Sequence, residues 1–393
     1  MIEAVIASPV RTPIGKFGGA LTAVAATDLG ATAIKGAIAR AGLAPETIEL
    51  AVMGNVVQAG NRMNPARQAT VKGGLGVSTP ASTVNRVCGS GLEAVATAAN
   101  SVWLGQARAA IAGGMENMDR APYLLPGARS GMRLGNSEVV DSMLLDGLHD
   151  AFSGKHSGWH TEEVIAQFGL SREDQDGWAV RSQHRFARAA ALRFFQREIV
   201  PVELSGKSAS VLFKEDEAPR PDTSLEALAR LRPAFKEDGS ITAGNAPGLN
   251  SGAAAMIVGE RQFLEGSGVE PVARIQAHAV TAIDPARFAL APVSAISKVL
   301  EIARWPLSEV ERFEINEAYA AVPLLVAKQL GLPLDLVNVE GGAVAHGHPI
   351  GATGAILLTR LVHSMRRDGL SKGIVSLCIG GGQGIAVAVE ILN

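Results

Sequence analysis

Two cysteines, a His-Gly-His turn and an Asn-Glu pair are the groups in this chain whose types and settings could do covalent chemistry. Cys88 sits in Val84-Asn85-Arg86-Val87-Cys88-Gly89-Ser90-Gly91, between a β-prone Ser82-Thr83-Val84 and an Ala- and Leu-rich run from Leu92 to Trp103. That pattern predicts a strand-to-helix turn with glycines that permit a sharp bend. Unpaired N–H groups and the positive end of a helix dipole favour thiolate over thiol, which is a nucleophile's setting. A small buried core cysteine would satisfy the same pattern, so Cys88 alone leaves both readings open.

The second stretch is Glu340-Gly341-Gly342-Ala343-Val344-Ala345-His346-Gly347-His348-Pro349-Ile350-Gly351-Ala352-Thr353-Gly354. A His-x-His spacing does not suit a helical metal pair, and no further His, Cys or Glu is spaced to complete a zinc site. One of the two histidines, His348 above all, is expected to be a base or hydrogen-bond donor; a turn histidine satisfied by backbone is the alternative. The glycines lack the lysine of a phosphate loop and the spacing of a dinucleotide fingerprint. In Cys378-Ile379-Gly380-Gly381-Gly382, a strand-end cysteine precedes glycines whose N–H groups could hold an oxyanion, or it is a buried cysteine before a turn. Asn316 and Glu317 follow a short apolar strand; Asn316 could cap the next helix, and Glu317 could favour that helix's first turn.

The elements that must position these groups form a weak internal repeat. In the first half, Val52-Met53-Gly54-Asn55 is followed by the cysteine turn, a helix, a strand and Gly113-Gly114. In the second, Glu314-Ile315-Asn316-Glu317 is followed by the glycine turn, a helix, a strand and Gly380-Gly381-Gly382. Two similar α/β halves are expected, with largely parallel sheets and chemistry at the carboxyl ends of strands. Between 120 and 250 the alternation is lost, and Tyr123 to Gly147 reads as a surface excursion.

Composition narrows the class. With 47% hydrophobic residues and 393 positions, two domains or one duplicated domain is expected. A net charge of −2 gives no support for a nucleic-acid or membrane partner driven by bulk charge. No uncharged run approaches a membrane span, and the N-terminus does not read as a signal peptide. Two cysteines are too few for a disulfide scaffold and point to a reducing, cytoplasmic setting.

Taken together, VNRVCGSGLEAV, NEAYAAV, GGAVAHGHPIGATG and SLCIGGGQGIA resemble the thiolase family, with lesser matches in SPVRTPIGKFGG, AGGMENM, LSREDQDGWAVRSQ and LRPAFKEDGSITAGNAPGLNSGAA. The resemblance runs from the first strand to the last. It implies a five-layered αβαβα fold of two duplicated halves with an inserted loop domain. The divisions would be 1–119 for the first part of the N-terminal half, 120–250 for the loop domain, 251–273 for its return strand and 274–393 for the C-terminal half. It also implies Claisen chemistry on acyl-CoA by a ping-pong route, with acetyl-CoA acetyltransferase activity favoured over longer-chain degradative thiolysis in fatty-acid β-oxidation. Cys88 matches the nucleophile, His348 the base that takes its proton, and Cys378 the acid and base at the α-carbon. Asn316 matches the residue that holds an oxyanion-hole water, and the Cys88 and Gly380 N–H groups the second hole. Leu148, His156, Arg220, Phe235, Ala243 and Gly244 match CoA contacts. CoA and acyl-CoA are expected as substrates, with no metal or further cofactor. A homotetramer or homodimer is expected, using 123–147.

Several positions depart from the family pattern. Ser157 stands for a common methionine, Pro247 for a serine, Ser251 for an aspartate and Tyr319 for a phenylalanine. Phe288-Ala289-Leu290-Ala291-Pro292 replaces Met-Gly-x-Gly-Pro, and His346 takes an apolar position. Other classes fit less well. A decarboxylating ketosynthase would have histidines at 378 and 316. A non-catalytic acyl-CoA or lipid-binding relative would have lost a catalytic residue. A redox or metal protein leaves His348 and Asn316 unexplained.

Overall fold

The computed structural model describes residues 2–205 and 210–392. The first half opens with β1 (Ala4–Arg11), followed by α1 (Ala26–Ala41), β2 (Leu50–Gly54), α2 (Pro65–Lys72) and β3 (Ala81–Val84). After the cysteine turn come α3 (Ser90–Trp103) and β4 (Ala109–Asn117). The insertion contributes α4 (Ser157–Phe168) and α5 (Arg172–Ala191), the latter opened by a capping box of Ser171 and Asp174. The chain returns through β5 (Asn250–Glu260). The second half comprises β6 (Ala273–Ala282), α6 (Ala291–Ala303), β7 (Arg312–Ile315), α7 (Ala321–Leu330), α8 (Thr353–Asp368), β8 (Lys372–Ile379) and β9 (Gln383–Ile391).

The nine strands form one continuous sheet in the order β7-β8-β9-β6-β1-β5-β4-β2-β3, to which Gly15–Lys16 adds on β5. The two halves share a topology. In the first, β3 and β4 flank β2 in parallel, β5 runs antiparallel to β4, and β1 antiparallel to β5. In the second, β8 is parallel to β7, β9 antiparallel to β8, and β6 antiparallel to β9. In place of a counterpart to β3, Val337 makes a single parallel bridge to Phe313. The halves join where β1 meets β6, at Val5–Arg274 and Ile6–Ala273.

The expectation of largely parallel sheets is therefore corrected to a mixed sheet. The continuous apolar runs did mark burial on both faces, but helices cover both faces of the antiparallel strands here too. Alternate side chains of each strand enter different apolar clusters. Val5, Ala7, Ala109, Ile111 and Ile257 pack under α1 and α2, whereas Ala4, Ile6, Ala110, Ala112 and Val258 face α3 and α8. Across those central helices, Val375, Leu377 and Val387 face inward, while Ile374, Cys378, Ala386 and Ala388 pack beneath α6 and α7. The result is helix, sheet, helix, sheet, helix. Each fully buried Ile, Leu or Val in these layers contributes about 1.5–3 kcal/mol.

α8 is buried nearly all round, with Ile356, Leu357, Leu358 and Leu361 at most 1% exposed. A helix of that kind belongs at the centre. Its approach to α3 is set by two glycines. A Cβ at Gly354 would lie 2.5 Å from Leu92 N, and one at Gly91 would lie 2.8 Å from Ala355 N. β8 and β9 form a hairpin across Gly380-Gly381-Gly382, where Gly381 and Gly382 take φ of 84° and 85°. In the first half, the equivalent connection between β4 and β5 is the whole insertion. The inserted region and the glycine turn therefore emerge at matching ends of matching strands.

Candidate active site

Both central helices are preceded by a chemically loaded turn, and both turns reach one cavity of about 410 Å³. Cys88, His348 and Gly380 line it, together with Leu148, His156 and Phe235 from the insertion. They come from segments as far apart in sequence as Cys88 and Gly380, so only the fold assembles them.

Cys88 stands one residue before Gly89, the N-cap of α3. Val87 takes φ of 45°, an unusual conformation for a β-branched residue and one that re-aims the chain. The turn is locked from several sides. Val87 N donates to Asn85 Oδ1, Arg86 N donates to Ser90 Oγ, and Ser90 Oγ donates to Val87 O. Arg86 bridges Glu93 and Gln383, tying the turn to β9. A Cβ at Gly89 would meet Ile379 Cδ1 at 2.6 Å, so the cysteine turn is pressed against the end of β8.

The backbone N–H groups of Gly380 and of Cys88 itself pull the Cys88 thiol down. Burial nonetheless outweighs them and pushes the thiol up to about 11, with Glu116 adding to the rise. The expectation of a resting thiolate is thus corrected. Loss of water costs the anion more than the helix end and two N–H groups return. Attack by Cys88 therefore requires a base.

His348 is that base by position. Its N–H donates to Asn250 Oδ1 at 2.9 Å, which fixes the turn against β5. Its Nδ1 lies 2.7 Å from Thr353 Oγ1, and Thr353 Oγ1 donates to Pro349 O at 2.9 Å. Because that hydroxyl's only proton goes to Pro349, Nδ1 carries the proton and Nε2 holds a lone pair. Asn316 Nδ2 lies 3.4 Å from Nε2, and Asn316 Oδ1 has no partner among the described residues. Burial holds His348 down to about 4, so it is neutral at pH 7. Asn316 does not cap a helix. α7 begins at Ala321, and Ala320 occupies its N-cap.

Cys378 is fully buried at the end of β8, behind the cavity wall. Burial, and then the neighbouring Cys88, push its thiol well above the ordinary range. His346, two residues from His348, is buried against Phe186 and lies away from the cavity. Both of its ring nitrogens lack partners among the described residues. Burial holds it well below the usual imidazole range, helped by Arg360 and Arg11. Only one histidine of the pair faces the chemistry.

Of the expected CoA contacts, His156 stacks on Phe235 with ring centroids 4.5 Å apart, and its Nδ1 accepts from Gly158 N. Arg220, Ala243 and Gly244 do not line this cavity. Arg220 is exposed, with its guanidinium 3.5 Å from Ala243 O. Arg220 is held beside α5, its N–H donating to Gln183 Oε1 at 2.7 Å.

Two buried acidic residues, of which the motifs singled out only Glu317, hold the site together. Glu116 accepts from Asn55 Nδ2, Val56 N, Val57 N and Gly351 N, joining the first half to the glycine turn of the second. Burial raises it to about 8. Glu317 is not a free helix-terminal charge; it accepts from Trp178 Nε1, Ser182 Oγ, Asn338 Nδ2 and Val344 N. An acidic residue just after an apolar strand in each half was the available sequence signal. Among the departures from the family pattern, Ser157, Pro247, Phe288 and Tyr319 line the cavity. Ser251 does not; its Oγ lies 2.9 Å from Asn117 Oδ1. Among the described residues no helix is long and apolar enough to cross a membrane.

Comparison with known proteins gives a family across the chain. Residues 4–262 match the family described as Thiolase, N-terminal domain, and 269–391 match Thiolase, C-terminal domain. An acetyl-CoA acetyltransferase of Escherichia coli (strain K12) is 48% identical over 394 residues, covering 100% of both chains. One from Chromobacterium violaceum is 47% identical over 390 residues, covering 99% of this chain and 100% of its own. The crystal structure of the Bacillus anthracis acetyl-CoA acetyltransferase superposes with a TM-score of 0.98 at 39% identity, covering 100% of this chain and 99% of that one.

Proposed function

Because the chain belongs to the thiolase family, we propose that it is an acyl-CoA acyltransferase that makes and breaks the carbon–carbon bond of 3-ketoacyl-CoA through an acyl-Cys88 intermediate. Acetyl-CoA acetyltransferase activity is the favoured form, in keeping with the names of its relatives. The observation that supports it most is one cavity lined by Cys88, His348 and Gly380.

In thiolysis, His348 Nε2 takes the Cys88 proton as sulfur attacks the 3-keto carbon. The N–H groups of Cys88 and Gly380, with protonated His348 and a water on Asn316, supply the donors for the oxyanions that form. Loss of one such donor typically costs about 2.7–4 kcal/mol. The bond between C2 and C3 breaks, and its electron pair leaves on the enolate of acetyl-CoA. Cys378 donates a proton to that carbon, a role suited to a thiol that burial keeps protonated. Incoming CoA gives its proton to the Cys378 thiolate and attacks the acyl group. The Cys88 thiolate leaves and regains its proton from His348. Synthesis is the reverse, with Cys378 removing the α-proton of acetyl-CoA.

Leu148, His156 and Phe235 would hold the pantetheine, and Arg220, Ala243 and Gly244 the nucleotide end beside the cavity. The protein would act as a homotetramer or homodimer in the cytoplasm. The test is thiolysis of acetoacetyl-CoA, followed as loss of the Mg²⁺-enolate absorbance. Turnover that persists in Cys88→Ala would overturn the assignment.

A further inference from the structure

Two hydroxyls stand in the wall of an otherwise largely apolar cavity. Ser157 Oγ and Tyr319 Oη lie 2.8 Å apart, although 162 residues separate them. Each hydroxyl has one proton, and their mutual bond uses one of the two. Neither makes another hydrogen bond among the described residues, so one O–H remains to be donated. Tyr319 is only 5% exposed, and both residues line the cavity that holds Cys88. Phe235 packs edge-on against the Tyr319 ring at 5.8 Å, and Phe288, Met118 and Ile350 line the same space. A ligand that displaces water from these walls must accept from the spare donor or leave it unpaired at a cost.

One turn beyond Ser157 on α4, His160 reaches the same cavity. It is 5% exposed; its Nε2 is held by Ser153 Oγ at 2.7 Å, and its Nδ1 has no partner among the described residues. Asp150, 8% exposed, also lines the cavity and leaves Oδ1 unpartnered among the described residues. A second carboxylate would meet like charge there. An uncharged group with an oxygen acceptor would not.

We propose that the Ser157–Tyr319 pair is a specificity element that donates to an uncharged oxygen on the acyl chain, beyond the carbonyl that joins Cys88. The chain then takes acyl groups bearing a hydroxyl, ether or keto oxygen in preference to plain alkyl groups of equal size, and rejects acyl groups ending in a carboxylate. This rests on the acyltransferase reading above. An alkyl group would leave the donor unpaired, which is how a polar site discriminates.

The test is thiolysis of 3-ketoacyl-CoA thioesters matched in heavy-atom count and ending in methyl, hydroxymethyl or carboxylate. The wild-type chain is expected to favour the hydroxyl over the methyl substrate by about tenfold in kcat/KM, with the carboxylate poorest. Tyr319→Phe and Ser157→Ala are each expected to bring the hydroxyl-to-methyl ratio close to one. A wild-type ratio near one, or a ratio that survives both substitutions, overturns the proposal. Calorimetric Kd values for the corresponding saturated acyl-CoA thioesters, measured in a Cys88→Ala background so that no acyl group passes to sulfur, test recognition independently of turnover. If acetoacetyl-CoA thiolysis were absent but the Kd preference held and was lost in Tyr319→Phe, the catalytic reading would fail and the recognition element would stand. No Kd preference would sink the element itself.

Discussion

His348 Nδ1 lies 2.7 Å from the Thr353 hydroxyl, whose own proton is committed to Pro349 O, and this fixes which imidazole nitrogen can act as base. Thr353→Val removes the acceptor and leaves a buried N–H unpaired. Such a loss is worth about 1–3 kcal/mol, or roughly one to two orders of magnitude in kcat. Thr353→Ser keeps the hydroxyl and is expected to recover most of the rate. Equal kcat for the valine and serine variants would show that Thr353 only fills space.

Cys378 and Cys88 divide the chemistry, so their variants should fail at different steps. In Cys378→Ala, Cys88 is expected to gain an acetyl group from acetyl-CoA, seen as a mass increase of the intact chain. Condensation to acetoacetyl-CoA should fall by about 10²–10⁴-fold, the usual range for loss of an acid–base group. A Cys378→Ala chain that condenses at the wild-type rate would remove Cys378 from the mechanism.

The spacing of α3 and α8 places Cys88 and His348 on one cavity, and Gly354 sets that spacing. A methyl group there meets Leu92 N at 2.5 Å, which backbone cannot relieve without moving a helix. Gly354→Ala is expected to cost about 1–3 kcal/mol in stability. Misplacement of the reacting groups should also lower kcat/KM by about tenfold or more. Unchanged thermal midpoint and unchanged kinetics together would contradict the close approach.

His346 makes a prediction about acid. Its folded pKa lies well below the unfolded value of about 6.5. Below that value the unfolded chain binds more protons than the folded one, so stability falls as pH drops. His346→Leu removes this proton uptake. Its thermal midpoint relative to the wild-type chain is expected to rise between pH 7.5 and pH 5. A difference that stays constant across that range would show that His346 does not contribute to acid sensitivity.

The excursion at 123–147 bears on assembly. Tyr123–Leu124 pairs with Val140–Asp141, and the residues between include Met132 at 52%, Leu134 at 100% and Val139 at 62% exposure. Exposed apolar side chains on a projecting hairpin suit contact with another copy. The chain is expected to sediment as a dimer or tetramer, and Met132→Glu with Leu134→Glu to lower the order of assembly. A wild-type chain that sediments as a monomer would remove the hairpin's proposed role.

The turns that present Cys88, His348 and Cys378 were legible because each joins a glycine-rich segment to an apolar run, and Asn316 because it ends a short apolar strand; both are local signals. The repeat between the halves was legible for the same reason. Strand direction was not, since burial on both faces gives the same apolar run in parallel and antiparallel strands. The thiol state of Cys88 was also hidden. The helix end that favours the anion is local, whereas the burial that outweighs it comes from distant residues such as Val57, Met118, Met143 and Ile350.

By itself, the sequence determined the two-half architecture, the four turns and the thiolase resemblance, because these depend on residue type and near-neighbour spacing. Only the tertiary structure decided which histidine faces the cavity and which of its nitrogens meets Asn316, since Asn316 must be brought to His348 from another element. It also decided that Glu116 joins the halves, that Arg220 stands outside the cavity, and that Ser157 and Tyr319 share a hydrogen bond. Those outcomes depend on which distant side chains exclude water from one another, and that is a property of packing rather than of any local run of residues.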